Sequence, residues 1–383
     1  MPKKHAKILF SILAALSVWA LSAAAVTLPQ PDFTLTVTAG KNRYVFTYPE
    51  IDFGADGLPY LKNTEAAAER IYYDTLIPPK DAAVAFTPLS KRKFSFTKEQ
   101  NGRAVNVADL AEKINSAVKK GTCEIEADFV TLVPQVTKKK LEACTFKRAD
   151  FSTNYENSAE NRKRNVELAV KTINGTIVGD GEIFSFNDTV GERNEERGYT
   201  RAKVIYEGKF TDGIGGGVCQ VSSTLFNCAL LSGLDVIERH AHSLAVSYVE
   251  PSFDAAVYYG GYDLKFLNGT GGPVFIECYA DGINIVFNIY GMKKNFSVKR
   301  ISRVIDESEA GYDVIEDETG ELCGEEDEKI IIPEKKRIKS SAELEYLQNG
   351  IIIKKLKLGT DAYAGQKGVL ARKKYVQNVI KTP

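Results

Sequence analysis

The stretch GGGVCQVSSTLFNCALLSG, from Gly215 to Gly233, predicts a helix that begins after three glycines and ends at another glycine. After it, the segments VIERHAHSLAVSYV, AVYYGG, LKFLN, VFIECYA and INIVFNIYG alternate between apolar and polar residues, as the strands of an antiparallel sheet do. This order predicts a central domain in which a helix that carries Cys219 packs on an antiparallel sheet.

A smaller domain is predicted before this one, over residues 32–145. It combines helical apolar spacing at Thr64–Thr75 with a second helix that Asn106 caps and that runs to Gly121. The alternating stretch CEIEADFVTLV then predicts one strand that ends before Pro134. These elements indicate a small domain of mixed α+β type.

The chain after the central domain changes in composition. Residues 292–340 carry an acidic stretch followed by a basic one, and we interpret them as a charged, solvated linker. The pair Asn349-Gly350 predicts a two-residue hairpin turn, because both turn positions need a positive φ. Residues 341–383 are therefore expected to form a small β module, and the fold class of the whole chain is α+β.

The beginning of the chain is typical of an export signal. The residues MPKKHAK are basic, and no charge follows from Ile8 to Val26. Residues 1–25 are predicted to be a cleaved signal peptide or an uncleaved membrane anchor, and both readings put the remainder outside the cell or in its envelope. Lys plus Arg and Asp plus Glu number 50 each, a balance that gives no electrostatic reason to expect a nucleic-acid partner.

The six cysteines are sparse and lack a CxxC pair or a regular spacing. If one disulfide forms, Cys123 and Cys144 are the favoured pair, because they flank one strand-to-helix unit. Cys228 and Cys278 stand among apolar residues and are interpreted as core thiols.

Cys219 is the best candidate for a nucleophile. It stands in the first turn of the predicted helix, where the helix dipole stabilises an anion. We therefore expect the pKa of this thiol to lie below the ordinary value of about 8.5. Three glycines precede it, and their backbone amides are candidate donors to an oxyanion: Gly215, Gly216 and Gly217. The opposing interpretation is that a small residue merely fills a tight turn there.

A thiol nucleophile needs a base, and the chain has few histidines. His5 lies in the export signal, so His240 and His242 are the candidates, and their spacing in a predicted strand puts both on one face. Asp254 and Asp263 are both available to orient the base, and nothing local chooses between them. A zinc site made from Cys219 and the two histidines would lack CxxC or HExxH support, so no metal or cofactor is expected.

At these residues the sequence resembles the VanW family. The similar stretches are NRKRNVELAVKTINGTIV, GEIFSFNDTVGERNEERGYTRAKVI, GGGVCQVSSTLFNCALLSGLDVIERHAHSLAVSYV and YGGYDLKF, within residues 151–291, and GGGVCQVSSTLF is the most specific of them. The preceding domain, with FSFTKEQNGRAVNVADLAEKINSAVKKG, resembles the peptidoglycan-binding domain that often precedes VanW domains.

This resemblance implies a cell-wall role as a cysteine-dependent L,D-transpeptidase that acts on peptidoglycan stem peptides. Cys219 would attack the carbonyl of an L-centre next to a D-residue and form a thioester, and His242 would take the thiol proton and later activate the acceptor amine. Arg193 would bind a carboxylate, and the rest of the implied substrate-binding set is Gly215, Gly216, Gly217, Gln220, Ser222, Ser223 and Tyr199. The alternative is a non-enzymatic peptidoglycan-binding or resistance accessory protein.

Overall fold

The structure is a computed structural model that describes residues 33–206 and 209–374. The expected signal or anchor over residues 1–25 lies outside these ranges, as does the end of the expected C-terminal module from residue 375. No helix within the described ranges is long and apolar enough to cross a membrane. The chain divides into two compact units, the first with residues up to Ala82 and Lys98–Val136, the second with Ala83–Thr97 and the residues from Thr137 onward.

The secondary structure of the described residues mixes helices and strands, as the α+β prediction requires. The helices are α1 (Thr64–Thr75), α2 (Val107–Lys119), α3 (Lys138–Glu142), α4 (Glu160–Ile173), α5 (Phe186–Val190) and α6 (Val218–Ser232). The strands of the first half are β1 (Leu35–Ala39), β2 (Asn42–Phe46), β3 (Ile51–Phe53), β4 (Pro59–Leu61), β5 (Ala83–Phe86), β6 (Phe94–Thr97), β7 (Gly102–Val105), β8 (Glu124–Glu126), β9 (Phe129–Leu132), β10 (Phe146–Asn154), β11 (Ile177–Val178) and β12 (Ile183–Ser185). The remaining strands are β13 (Arg201–Tyr206), β14 (Lys209–Ile214), β15 (Asp235–Glu238), β16 (Lys265–Leu267), β17 (Val274–Ala280), β18 (Asn284–Gly291), β19 (Ser297–Ser308), β20 (Tyr312–Asp317), β21 (Glu328–Ile332), β22 (Arg337–Gln348), β23 (Ile351–Tyr363) and β24 (Gly368–Lys373).

The first unit packs α1 and α2 with a sheet of order β2-β1-β8, in which β1 and β8 run parallel. Asn106 caps α2 as predicted, because its side-chain oxygen accepts from the amide of Ala108 at 3.1 Å. The expected single strand over CEIEADFVTLV is wrong, since it forms two strands. β8 pairs with β1, and after Asp128 the chain changes partner so that β9 pairs with β7.

The second unit is built on an antiparallel sheet of order β10-β18-β17-β11. Helix α6 packs on β10 and β18, and α4 packs on β17 and on α6, so the predicted helix-on-sheet arrangement is confirmed. Almost every side chain of α6 is buried, which suits a helix that carries apolar or small residues on all sides. Its end is held by Arg148, whose Nε and Nη2 donate to the carbonyl of Ser232 at 3.0 and 2.9 Å.

The hairpin of β5 and β6 belongs to the second unit and not to the first. Phe86 and Phe94 pack against Phe275 and Tyr290, with ring centroids 5.0–6.3 Å apart. In addition, Nζ of Lys93 forms an ion pair with the carboxylate of the buried Glu277, at 2.5 Å. The expected domain over residues 32–145 therefore does not coincide with one compact unit.

The segment expected to be a charged linker, 292–340, forms strands instead. β19 pairs with β22 from Ser297 to Ser308, and β20 and β21 pair with β24. The linker prediction is wrong because strands pair through their backbone, which charged side chains do not prevent, and β19 is exposed on both faces from Arg303 to Ser308. The predicted turn at Asn349-Gly350 is confirmed between β22 and β23, with φ of 52° and 80°.

All six cysteines lie in the described ranges and all are free thiols. The suggested bridge between Cys123 and Cys144 is therefore not formed; Cys123 is exposed and belongs to the first unit, whereas Cys144 is buried in the second. Cys228 and Cys278 are buried in the main core, as predicted, and burial raises the pKa of both thiols.

Candidate active site

Cys219 is the second residue of α6, and glycine backbone geometry puts it there. Gly217 is the N-cap residue with φ of +106°, a conformation that favours glycine. A Cβ atom on Gly216 would lie 2.6 Å from the carbonyl oxygen of Lys203, so this glycine allows close contact with β13. The amides of Val218 and Gln220 donate to the carbonyls of Gly215 and Gly217, which closes the turn before the helix.

Contrary to the prediction, the two histidines do not lie on one face of a strand. β15 ends at Glu238, and a register shift in its pairing with β16 precedes that end, so both histidines lie in irregular backbone. His240 is partly exposed, its Nε2 lies 3.2 Å from a carboxylate oxygen of Glu238, and its ring stacks on Tyr262 with centroids 4.1 Å apart. His242 is buried, and it interacts with Cys219 closely enough that each of the two groups shifts the pKa of the other.

The structure brings Asp254, and not Asp263, to the histidine. One carboxylate oxygen of Asp254 lies 2.6 Å from Nδ1 of His242 and also accepts from the His242 backbone amide at 2.7 Å. Asp263 instead accepts from the hydroxyl of Ser185 at 2.6 Å and from the amide of Asn187 at 2.9 Å. Because Asp254 occupies Nδ1, Nε2 is the ring nitrogen of His242 that remains for the thiol.

These contacts shift three pKa values, each toward the charged form of its group. Burial alone would raise the pKa of Cys219, but the hydrogen bond and positive charge of His242 outweigh it and lower that pKa. The pKa of His242 is raised to about 9, since the Asp254 and Cys219 contacts outweigh burial. The pKa of Asp254 falls to about 2 despite its burial, chiefly through His242. The site therefore stabilises the thiolate–imidazolium pair relative to the two neutral groups.

The thiol is partly accessible and has further polar neighbours. Its sulfur lies 3.4 Å from the carbonyl oxygen of Val257, and Cys219 is only half-buried. Sequence reasoning missed Arg162 and Tyr248, whose pKa values are shifted mainly by burial and in part by the charge of Cys219. Arg162 lies in the stretch NRKRNVELAV that resembles the VanW family, but no residue pattern singles it out.

Three of the residues expected to bind substrate make hydrogen bonds inside the protein. Gln220 accepts from Arg162 and donates to Thr153 and Asn154, so its amide is fully engaged. The hydroxyls of Ser222 and Ser223 donate to the Cys219 carbonyl at 3.0 and 2.7 Å. These three polar groups therefore hold the start of α6 in place and do not face open space.

Arg193 and Tyr199 differ from that set, because each has a polar atom without a partner. Nη1 of Arg193 donates to the side chain of Asn187 at 2.8 Å and to the carbonyl of Gly191 at 2.9 Å. Within residues 33–206 and 209–374, the buried Nη2 of Arg193 and the hydroxyl of Tyr199 have no hydrogen-bond partner. The charge of Cys219 acts on the pKa of Arg193, so the unused guanidinium nitrogen belongs to the surroundings of the thiol.

The zinc alternative does not fit this geometry, since His240 is directed to Glu238 and Tyr262. No group of three or more His, Cys, Asp or Glu side chains in the described part of the chain could hold a metal ion.

Comparisons with known proteins agree with the resemblance seen in the sequence. Residues 161–290 match the family described as "VanW like protein", and residues 62–126 match the family described as "Putative peptidoglycan binding domain". Among solved structures, the crystal structure of HP0197-G5 aligns with 21% of this chain and 99% of its own at 16% identity and a TM-score of 0.12, too low to support an argument.

Two relatives cover the central part of the chain. The uncharacterized protein YoaR of Bacillus subtilis (strain 168) is 36% identical over 171 residues, which are 44% of this chain and 56% of that protein. The vancomycin B-type resistance protein VanW of Enterococcus faecalis (strain ATCC 700802 / V583) is 32% identical over 149 residues, 37% of this chain and 54% of that protein. The chain thus spans about half the length of these relatives. The chain therefore contains a domain at residues 161–290 that matches the VanW family model, and a domain at residues 62–126 that matches the putative peptidoglycan-binding family precedes it.

Proposed function

We propose that this chain is a cysteine-dependent acyltransferase of the cell wall that acts as an L,D-transpeptidase on peptidoglycan stem peptides. The observation that carries the proposal is the arrangement of Cys219, His242 and Asp254, in which a partly buried thiol is coupled electrostatically to a buried imidazole that a carboxylate holds. A structural cysteine needs no such partner, whereas a thiol nucleophile needs a base that a third group orients.

The substrate class is argued from the neighbouring domain and from the family. A domain of the peptidoglycan-binding family at residues 62–126 supports association of the chain with the cell wall. We infer that the bond attacked is an L,D-peptide bond from the resemblance of GGGVCQVSSTLF to the VanW family. Peptide transfer on stem peptides is the reaction that joins this substrate class to a thiol nucleophile.

In the first step, the thiolate of Cys219 attacks the carbonyl carbon of the L-centre, and a C–S bond forms while the carbonyl oxygen becomes an oxyanion. The Cys219 backbone amide, at the start of α6, is the proposed donor to that oxyanion. When the tetrahedral intermediate collapses, the C–N bond breaks and His242 gives its proton to the leaving amine. The unused Nη2 of Arg193 would pair with the carboxylate of the departing D-residue.

In the second step, an acceptor amine from another stem peptide attacks the thioester carbonyl. His242, now neutral, takes a proton from that amine as the new C–N bond forms and the C–S bond breaks. The site returns to a thiolate and an imidazolium, and the product is a cross-link. Water in place of the amine would give hydrolysis by the same steps.

Intact mass spectrometry tests the proposal. The protein without its export segment, as wild type and Cys219→Ala, is incubated with a synthetic tetrapeptide stem, and Cys123→Ser serves as the matched control because Cys123 is the exposed thiol. We expect an added mass equal to the acyl fragment in wild type and Cys123→Ser and none in Cys219→Ala. No adduct in any form, with the peptide still bound, would overturn catalysis and leave a peptidoglycan-binding protein.

A further inference from the structure

Strand β23 contributes side chains to the surroundings of Asp254, the carboxylate that binds His242. The hydroxyl of Tyr363 donates to Oδ1 of Asp254 at 2.6 Å and accepts from the backbone amide of Ser252, also at 2.6 Å. Tyr363 is only 1% exposed, so this contact is shielded from water. The strand lies well beyond residues 161–290, which match the VanW family.

A second group from the same strand holds the arginine that pairs with Asp254. Arg239 donates from Nη2 to Oδ1 of Asp254 at 2.8 Å and from Nε to the Asp254 backbone carbonyl at 2.6 Å. Asp361 accepts both hydrogen bonds of a bidentate contact from Nη1 of Arg239, at 2.8 and 2.7 Å. Tyr363 and Arg239 thus both bind Oδ1, and only Oδ2 remains for the ring of His242.

We propose that Tyr363 is a positioning residue for the reaction proposed above, and that β23 completes an active site whose other members come from the VanW domain. Two donors on Oδ1 prevent the Asp254 carboxylate from rotating, and Oδ2 therefore keeps its contact with Nδ1 of His242. Burial and the charge of Asp254 raise the pKa of Tyr363, so its hydroxyl keeps its proton and remains a donor. This inference rests on the proposed function only in so far as it names a reaction. The positioning of Asp254 by Tyr363 is a property of the protein without substrate.

Several other groups act on the same ionisations. The groups that act on the thiol are His242, Arg193, Arg162 and Tyr248, and those that act on Asp254 are His242, Arg239, Tyr363 and Tyr248. The cations favour both the thiolate and the carboxylate, and none of them is removed when only the Tyr363 hydroxyl is removed. A change in the thiol titration of such a variant is therefore assigned to the hydroxyl.

The test measures the pH midpoint of alkylation at Cys219 by iodoacetamide, read by peptide mass spectrometry in the full chain with Cys123→Ser. Tyr363→Phe removes one hydroxyl, and Tyr346→Phe, on the paired strand β22, is the matched control that removes the hydroxyl of a buried tyrosine whose ring packs on Phe296. We expect Tyr363→Phe to raise the midpoint by roughly half to one pH unit and Tyr346→Phe to leave it unchanged. Equal midpoints in all three proteins, or equal shifts in both variants, would overturn the proposal.

The same measurement in Asp254→Asn separates positioning from a general loss of structure. If Tyr363 acts through Asp254, Tyr363→Phe produces no further shift in that background, whereas an additive shift contradicts the proposal. Alkylation requires no peptidoglycan, so this result does not depend on the acyl-adduct test. A shift in Tyr363→Phe together with no acyl adduct would reject the transpeptidase and retain the positioning role.

Discussion

At the scale of single residues, the environment and not the residue type decides which thiol of α6 has a lowered pKa. Cys219 and Cys228 stand on the same helix, and both are subject to burial that raises a thiol pKa. Only Cys219 has an imidazole against it, and its pKa is lowered while that of Cys228 is raised. Position in the first turn of a helix supports this difference, since the dipole favours an anion there.

Replacing His242 is expected to abolish the reactivity of Cys219 at neutral pH. A lowered thiol pKa means that the thiolate is already present below the ordinary titration range, and alkylation should follow it. His242→Ala removes the largest of the effects that offset burial and leaves Arg193 as the cation near the thiol, so the midpoint should rise and the rate at pH 7 should fall by about tenfold or more. The measurement is the rate of iodoacetamide alkylation at Cys219 as a function of pH.

The matched control for that experiment is His240→Ala, which removes an imidazole that contacts Glu238 and Tyr262 instead of the thiol. Its alkylation profile should equal that of the wild type. A shift of the same size in both variants would contradict the assignment of His242 as the partner of Cys219.

At the scale of secondary-structure elements, the start of α6 is set by backbone that only glycine adopts without strain. Gly217 has φ of +106°, and a Cβ atom there would lie 2.9 Å from Cγ of Arg162 and 3.0 Å from Cγ2 of Val166. Arg162 in turn donates to Gln220, one residue after the thiol. The glycine run therefore determines both where the helix begins and how closely α4 approaches it.

Gly217→Ala is expected to destabilise the protein by roughly 2 to 3 kcal/mol, because it combines a strained φ with a steric clash against α4. Urea unfolding followed by circular dichroism measures this change. Gly269→Ala is the matched control, since a Cβ atom there has nothing within 4 Å, and its effect should stay within about 0.5 kcal/mol. Comparable losses in both variants would mean that the clash at Gly217 is relieved at little cost.

At the scale of the whole molecule, the compact units do not follow the order of the chain. Residues 83–97 leave the first unit, and their hairpin packs on β17 and β18 of the second through Phe86 and Phe94. Two chain segments must therefore come together before the second unit is complete. Aromatic packing contributes to this attachment, and Lys93 and the buried Glu277 add an ion pair.

Phe94→Ala should weaken the second unit and leave the first unchanged. The ring is partly buried against Phe275 and Tyr290, so its loss should cost roughly 2 to 3 kcal/mol. Hydrogen exchange read by mass spectrometry should show faster exchange in β17 and β18, with α1 and α2 unaffected. Phe210→Ala, at a ring that is 44% exposed, is the control with little effect, and faster exchange in α1 and α2 for Phe94→Ala would contradict the division.

Local sequence was sufficient where a structure depends on near neighbours. The start of α6 at GGGVC, the cap at Asn106 and the turn at Asn349-Gly350 were all predictable, because each depends on glycine conformations or on a side chain close to the backbone it contacts. The same local reasoning placed Cys219 at the helix N-terminus and restricted its base to two histidines.

Tertiary structure alone decided which of the remaining candidates meet. His240 and His242 were indistinguishable in a predicted strand, and the strand ends before both of them. Asp254 and Asp263 are the same residue type in similar sequence, but only Asp254 lies between His242 and the side chains of β23. Tyr363 is separated from Asp254 by 109 residues, and no periodicity or motif encodes such a contact, because it arises only when separate strands pack around one buried carboxylate.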